Sequence, residues 1–246
     1  MDSSIWSIWH DLDASDEDEH IAWLHGVYLP ALKKLSGVLW VAHYRNVGGG
    51  QAMDLLHERM PRSTDPDSQG GCKHIIMVGA VSALNFFKPS IIEQESLAVG
   101  ETRKMLDQRR RPQQFIFTEY ARVNGPEWGH RMPGSMPAPG IQFGALRSRS
   151  LEGEHYAGRW YSEYRLPTMA SMPGCIAARA LMCNYGWPKF GVLYEFTSRH
   201  ARTINFEPYE TRFQREERGQ WGRLGEYVVH VSGSPIVGER VWPPLD

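Results

Sequence analysis

The chain has 246 residues, 41% of them apolar and 22% charged, with 27 basic against 28 acidic side chains. Such a make-up fits one large or two small globular domains and excludes wholesale disorder, and the even charge balance leaves no general field for nucleic acid or an anionic membrane. Cys72, Cys175 and Cys183 form neither an even disulfide framework nor a Cys-x-x-Cys pair, and no apolar run reaches the roughly 20 residues of a membrane span, so a soluble cytoplasmic protein with reduced thiols is expected.

Residues 5–11 alternate β-branched and aromatic side chains and read as a strand. Ser15 followed by Asp16, Glu17, Asp18 and Glu19 is a helix start, so a helix runs from about Asp16 to Lys34, with Pro30 kinking or ending its last turn and Gly37 closing it. A second strand follows at 38–44. Residues 46–71, with a triple glycine, a short amphipathic piece over 53–60 and a Pro/Ser/Asp-rich stretch, have no counterpart later and read as an insertion, a candidate lid. A third strand at 74–81, a helical region over 84–108 and a fourth strand at 114–123 complete a βαββαβ order.

The Pro/Gly-rich stretch 124–140 is a connection, after which the order recurs: strand at 141–147, helix over 152–169, strands at 175–182 and 190–196, a helical segment near 208–218 and a strand at 227–231, with an extended tail. The recurrence is also written in the residues. Trp23, Pro30 and Gly37 are matched at one constant offset by Trp160, Pro167 and Gly174, and Asn85 with Phe86 is echoed by Asn205 with Phe206. Internal repetition of this kind implies one fold written twice, over residues 1–136 and 137–246.

A βαββαβ unit is the ferredoxin-like split motif. Its first helix with Trp and Pro, then Pro173-Gly174 and a strand ending in Arg179, resembles the dimeric α+β barrel superfamily, whose EthD-like, muconolactone isomerase-like and polyketide cyclase-like members pair two such units sheet to sheet. The resemblance implies an α+β fold of two tandem ferredoxin-like repeats packed as a pseudo-dimeric barrel within one chain. EthD-like relatives often carry His shortly before the helix proline. Here the residue two before is Tyr28 in the first half and Arg165 in the second.

Polar residues stranded in apolar strands are the site candidates. His10, His43, Glu119, Arg179 and His230 are the candidate catalytic residues, because His exchanges protons near neutrality, a carboxylate orients it, and Arg holds a developing oxyanion. Tyr44, Tyr120, Arg147, Tyr194 and Glu195 are candidate substrate contacts. Gly48 to Gln51 lacks the ending of a phosphate loop and the spacing of a dinucleotide fingerprint, and no Gly-x-Ser-x-Gly elbow occurs.

These residues predict a lyase or isomerase working without metal, flavin, nicotinamide or haem on a hydrophobic, aromatic or polyketide-like small molecule, with self-association left open. His43 is the first choice of base, at a strand end where a barrel would open. The alternatives are a non-catalytic ligand carrier and a monooxygenase, cofactor-free or haem-dependent; for haem, His43, His74 or His230 is the candidate ligand. A histidine bonded to Glu, Asp or Tyr in the largest pocket would favour the enzyme.

Overall fold

The computed structural model describes residues 1–59, 62–131, 136–215 and 223–245. Nine strands run along the chain: β1 Ser4–Asp11, β2 Val38–Asn46, β3 His74–Ala80, β4 Arg110–Asn124, β5 Gly140–Ser148, β6 Cys175–Tyr185, β7 Phe190–Phe196, β8 Val228–His230 and β9 Ile236–Trp242. They join in the order β7-β6-β4-β1-β3-β2-β9-β5, and an antiparallel β5–β7 ladder closes that ring while β8 pairs with the end of β5. The first four strands stand in the order β2-β3-β1-β4, and β6-β7-β5-β9 repeats it in the second half.

One strand differs from expectation. The segment at 227–231 contributes only the short β8, and the tail supplies the ladder strand β9, which pairs with both β2 and β5. Val237 and Ile236 are buried there while the sequence around them is rich in Pro and Gly, which is why the segment reads as an extended tail.

The helices are α1 Glu17–Trp23, α2 Leu29–Lys33, α3 Gly50–Arg59, α4 Ile91–Ser96, α5 Gly100–Asp107, α6 Leu151–Arg159, α7 Leu166–Ala170, α8 Arg199–Ala201, α9 Glu207–Arg215 and α10 Leu224–Tyr227. Ser15 does not cap α1; its hydroxyl bonds Asp16, and the acidic first turn of Glu17, Asp18 and Glu19 faces the positive end of the helix dipole. The region 84–108 is two helices, not one. Residues 216–218 of the expected segment at 208–218 lie outside the described residues.

Prolines inside the helices are accommodated by π turns. Leu24–Tyr28 joins α1 to α2, Trp160–Arg165 joins α6 to α7, and Arg202–Phe206 joins α8 to α9. Each precedes Pro30, Pro167 or Pro208, and in each the residue before the proline donates to the carbonyl five back: Leu29 to Leu24, Leu166 to Tyr161, Glu207 to Arg202. A proline lacks an N–H and its ring crowds the carbonyl four back, so a wider turn lets the helix continue past it.

Three apolar layers result. The barrel interior interlocks side chains from both halves, with Trp9 edge-on to Phe115 at 5.3 Å and to Phe143 at 5.6 Å, and Phe117 against Phe143. Trp6, Ile8, Ile76 and Val78 face the first-half helices, and Ala178, Val192, Tyr194 and Phe196 face those of the second half. Both faces of most strands are therefore buried.

Candidate functional site

The interior is filled, and its polar residues are spent on one another. Arg179, wholly buried, bonds Asp2 at 3.0 Å and Glu119 at 2.5 Å; Arg122 bonds the same two acids; Arg131 bonds Asp2 at 2.9 Å and Glu195 at 2.8 Å. Burial alone would raise the Asp2 carboxyl, but Arg179 and Arg131 hold it well below the carboxylate range. Tyr44 is also interior and donates its hydroxyl to the Ala138 carbonyl at 2.8 Å. Glu119 and Arg179, expected as catalytic groups, and Glu195, expected as a substrate contact, are thus held in one compensated ion network at one end of the barrel. Asp2, Arg122 and Arg131 complete it and carry no distinguishing sequence signal.

At the other end a wide cleft of about 740 Å³ is lined by Asp65, Gln113, Gln114, Tyr185 and Trp187, with the Arg147 guanidinium stacked 4.6 Å from the Trp187 ring. No histidine lines it. Tyr120 stands on the outside of β4, half-exposed.

His10 and His43 lie on the helix-facing side of the first-half sheet. They do not open on the barrel mouth, because strand alternation there puts Trp9, Ala42 and Tyr44 inside. His43 Nδ1 meets His25 Nε2 at 2.9 Å, His43 Nε2 meets His74 Nδ1 at 3.1 Å, and His74 Nε2 is 3.7 Å from Glu17. His10 stacks on His74 and packs against His20. Only His25 of the five is part-exposed, so the array runs from the surface at His25 to the surface at Glu17. Burial pushes His10 and His43 well below the usual imidazole range and His20 and His74 to about 4, so all four are neutral at pH 7. The helix partners His20 and His25 were not site candidates by sequence.

A cavity that brings titratable groups together lies in the second half, between sheet and helices. Its space is about 40 Å³. The π turn supplies Trp160, Tyr161 and Arg165, β7 supplies Tyr194, β8 supplies His230, and α9 supplies Glu210. Arg165 pairs with Glu210 at 2.7 Å and sits among aromatic rings, 4.6 Å from Trp160 and 5.8 Å from Tyr194. Burial would lower its pKa, but Glu210 overrides that and holds the guanidinium charged. Burial raises the Tyr161 and Tyr194 phenols, which stay protonated and able to donate. His230 Nδ1 lies 3.0 Å from the Ser234 hydroxyl, which also accepts the Ala145 N–H. Gly144 forms part of the wall, where a Cβ would stand 3.1 Å from Val192. Leu56 of α3 covers the cavity, so the insertion from the first half roofs the second. Among the described residues, the apolar cluster at that roof is Met53, Leu56 and Val237, with Val47 beside them.

Among the described residues no group of three His, Cys, Asp or Glu converges as metal ligands. The haem candidates do not fit a porphyrin: His43 and His74 are buried against other histidines, and the space beside His230 is far below the roughly 300–1,000 Å³ of a typical ligand site. The three thiols are unpaired, and burial raises Cys175 and Cys183 to about 12. No described helix is long and apolar enough to cross a membrane.

No protein-family model and no curated protein sequence matches the chain. Solved structures do. An anthrone oxidase-like protein superposes with a TM-score of 0.60 at 10% identity, covering 98% of this chain and 91% of that one. The chain has the dimeric α+β barrel fold. A second dimeric α+β barrel, provisionally assigned as a chlorite dismutase, superposes with a TM-score of 0.54 at 11% identity over 98% of this chain and 96% of its own. At such identities the likeness is one of fold and does not transfer residues.

Proposed function

We propose that this protein is an enzyme that removes a proton from an activated carbon of an aromatic or polyketide-like ketone, without a cofactor, in the second-half cavity. The observation that carries the reading is a histidine and two protonated tyrosines sharing one enclosed, aromatic-walled space. His230 takes the proton, with Ser234 fixing its ring, and the Tyr161 and Tyr194 hydroxyls donate to the oxygen as it becomes an enolate. Arg165 adds positive charge nearby, tempered by Glu210. Returning the proton elsewhere is an isomerisation and capture of the enolate by dioxygen is an oxidation, so both chemistries share this first step.

The cavity as it stands holds little more than water, and substrate entry requires α3 to lift. Among the described residues α3 joins a small apolar cluster, which suits a lid. We further take the chain as two ferredoxin-like halves, 1–136 and 137–246, a reading supported by the repeated strand order and the paired π turns. The name of the anthrone oxidase-like neighbour suggests the probe.

Anthrone incubated in D₂O should exchange its carbon-10 protons faster with the protein than in buffer. His230→Gln should slow that exchange by roughly 10²-fold or more, and Tyr194→Phe by about as much, with the fold retained. Exchange at the buffer rate with the wild-type protein would sink the reading. Tight binding without exchange would establish the ligand carrier instead.

A further inference from the structure

We infer that the first half carries a second small-molecule site, one that takes a one- or two-ring aromatic alcohol and is independent of the cavity beside His230. A cavity of about 230 Å³ lies between the α1–α2 helix and the α4–α5 pair, walled by Trp23, Leu32, Ile91 and Leu106 and carrying the polar groups of Tyr28 and Glu95. Its size is below the roughly 300–1,000 Å³ of a drug-sized pocket and suits a small aromatic skeleton.

The polar end of this cavity is built to accept one more partner. Glu95 Oε1 accepts from Arg109 Nη1 at 2.7 Å and from the Tyr28 hydroxyl, whereas among the described residues Oε2 accepts from Gln114 Nε2 alone, at 2.8 Å. A carboxylate offers about four lone-pair sites, so Oε2 can take a further donor. On the wall, Trp23 is 5% exposed and its indole N–H has no partner among the described residues. A buried donor left unpaired costs stability unless something supplies an acceptor.

The second half repeats this feature. Trp160, at the matching position of the repeated frame, lines the other cavity, and its indole N–H is also without a partner. Such recurrence is what two ligand-facing tryptophans would leave. A hydroxyl is the group that can both donate to a carboxylate and accept from an indole. A carboxylic acid would be repelled by Glu95, and a cation would meet Arg109 already seated on the same carboxylate.

The test uses 2-naphthol and naphthalene as probes of the wild-type protein. Intermolecular nuclear Overhauser contacts from 2-naphthol should reach the Ile91 and Leu106 methyls, and naphthalene should bind at least 10-fold more weakly. Ala98→Phe and Thr102→Phe, both at half-buried lining positions, should each weaken 2-naphthol binding at least 10-fold, while His230→Gln leaves it unchanged. Equal affinity for the two probes would overturn the hydroxyl assignment. Contacts only to second-half methyls, unchanged affinity in the filled variants, or no binding up to the solubility of the probe would overturn the site.

Discussion

The segments from Trp23 to Gly37 and from Trp160 to Gly174 share a backbone and differ in what they hold. Each carries a buried Trp, a π turn, a Pro two residues past it and a Gly at φ +79°. Yet where the first has His20, His25 and Tyr28, the second has Ala157, an exposed Ser162 and Arg165 at the matching positions. In the first half the guanidinium facing the helix-side acid comes from Arg109, next to β4, and pairs with Glu95; in the second it comes from the helix itself, as Arg165 with Glu210. The frame is set by backbone requirements at Pro and Gly, which leaves the polar filling free to diverge. One half holds a run of hydrogen-bonded imidazoles, the other a cavity lined by a histidine and phenols.

The largest effect is expected where the halves meet. Arg179 of β6 bridges Asp2 and Glu119 of the first half, so Arg179→Met leaves the buried Asp2 to Arg122 and Arg131 and Glu119 to Arg122 alone, and should cost about 3 kcal/mol of stability, the low end for breaking a buried pair. If the halves are one cooperative unit, calorimetry on this variant shows one transition at lower temperature. Two separated transitions would break the comparison by showing that each half folds alone.

Much of the frame was legible. Trp, Pro and Gly at a fixed offset announced the duplicated order, and the β-branched runs located β1 to β7. The face of each strand was not legible, because on β1 the odd residues Ile5 and Trp9 are as apolar as the even residues Trp6 and Ile8. Alternation could say that His10 shares a face with Trp6 and Ile8, but not that this face meets helices. For the same reason the joining of His20 to His10 and of His25 to His43 was hidden, and so was the recruitment of Asp2, which sits outside any periodic segment. His230, a candidate by sequence, lines the second-half cavity from a strand only three residues long.

The histidine array gives the next effect, and it should belong to the first half alone. His43→Gln breaks the contacts with His25 and His74 and should cost about 1–3 kcal/mol while leaving the exchange rate per folded molecule unchanged, since His43 does not line the second-half cavity. A stable but inactive variant would instead return the base to the first half. The array also fixes a pH dependence. The folded pKa values of His10, His20, His43 and His74 lie below the ordinary 6.5, reaching about 4 for His20 and His74, so below 6.5 the unfolded chain binds more protons than the folded one. Stability is therefore complete above about pH 6.5 and falls as the pH drops toward 4. Amide hydrogen exchange at pH 5 should show β1 and β3 losing protection before β5 and β7. Equal loss in both halves would mean the array does not carry the acid sensitivity.

The smallest effect isolates the frame itself. Gly37 and Gly174 have the same φ of +79°, a conformation that costs an L-residue roughly 1–2 kcal/mol, so Gly→Ala carries the same backbone strain at both. What differs is the neighbour. A Cβ at Gly37 would stand 2.2 Å from the Asn85 side-chain nitrogen, which donates to the Ser36 carbonyl at 3.0 Å, whereas at Gly174 the nearest atom is the Ala201 methyl at 2.8 Å. Asn85 must swing away and lose its bond; at Gly174 the helix start carrying Ala201 must shift by roughly half an ångström to reach ordinary contact, without a side chain giving up its bond. Gly37→Ala should therefore be more destabilising than Gly174→Ala by about 1 kcal/mol, the worth of one such hydrogen bond, read as a difference in denaturation midpoints at equal slope. Because the shared strain cancels, equal losses would mean that Asn85 contributes nothing to the turn, and a larger loss at Gly174 would place the tighter junction in the second half, where the repeated Asn205 side chain bonds the Ala201 carbonyl instead.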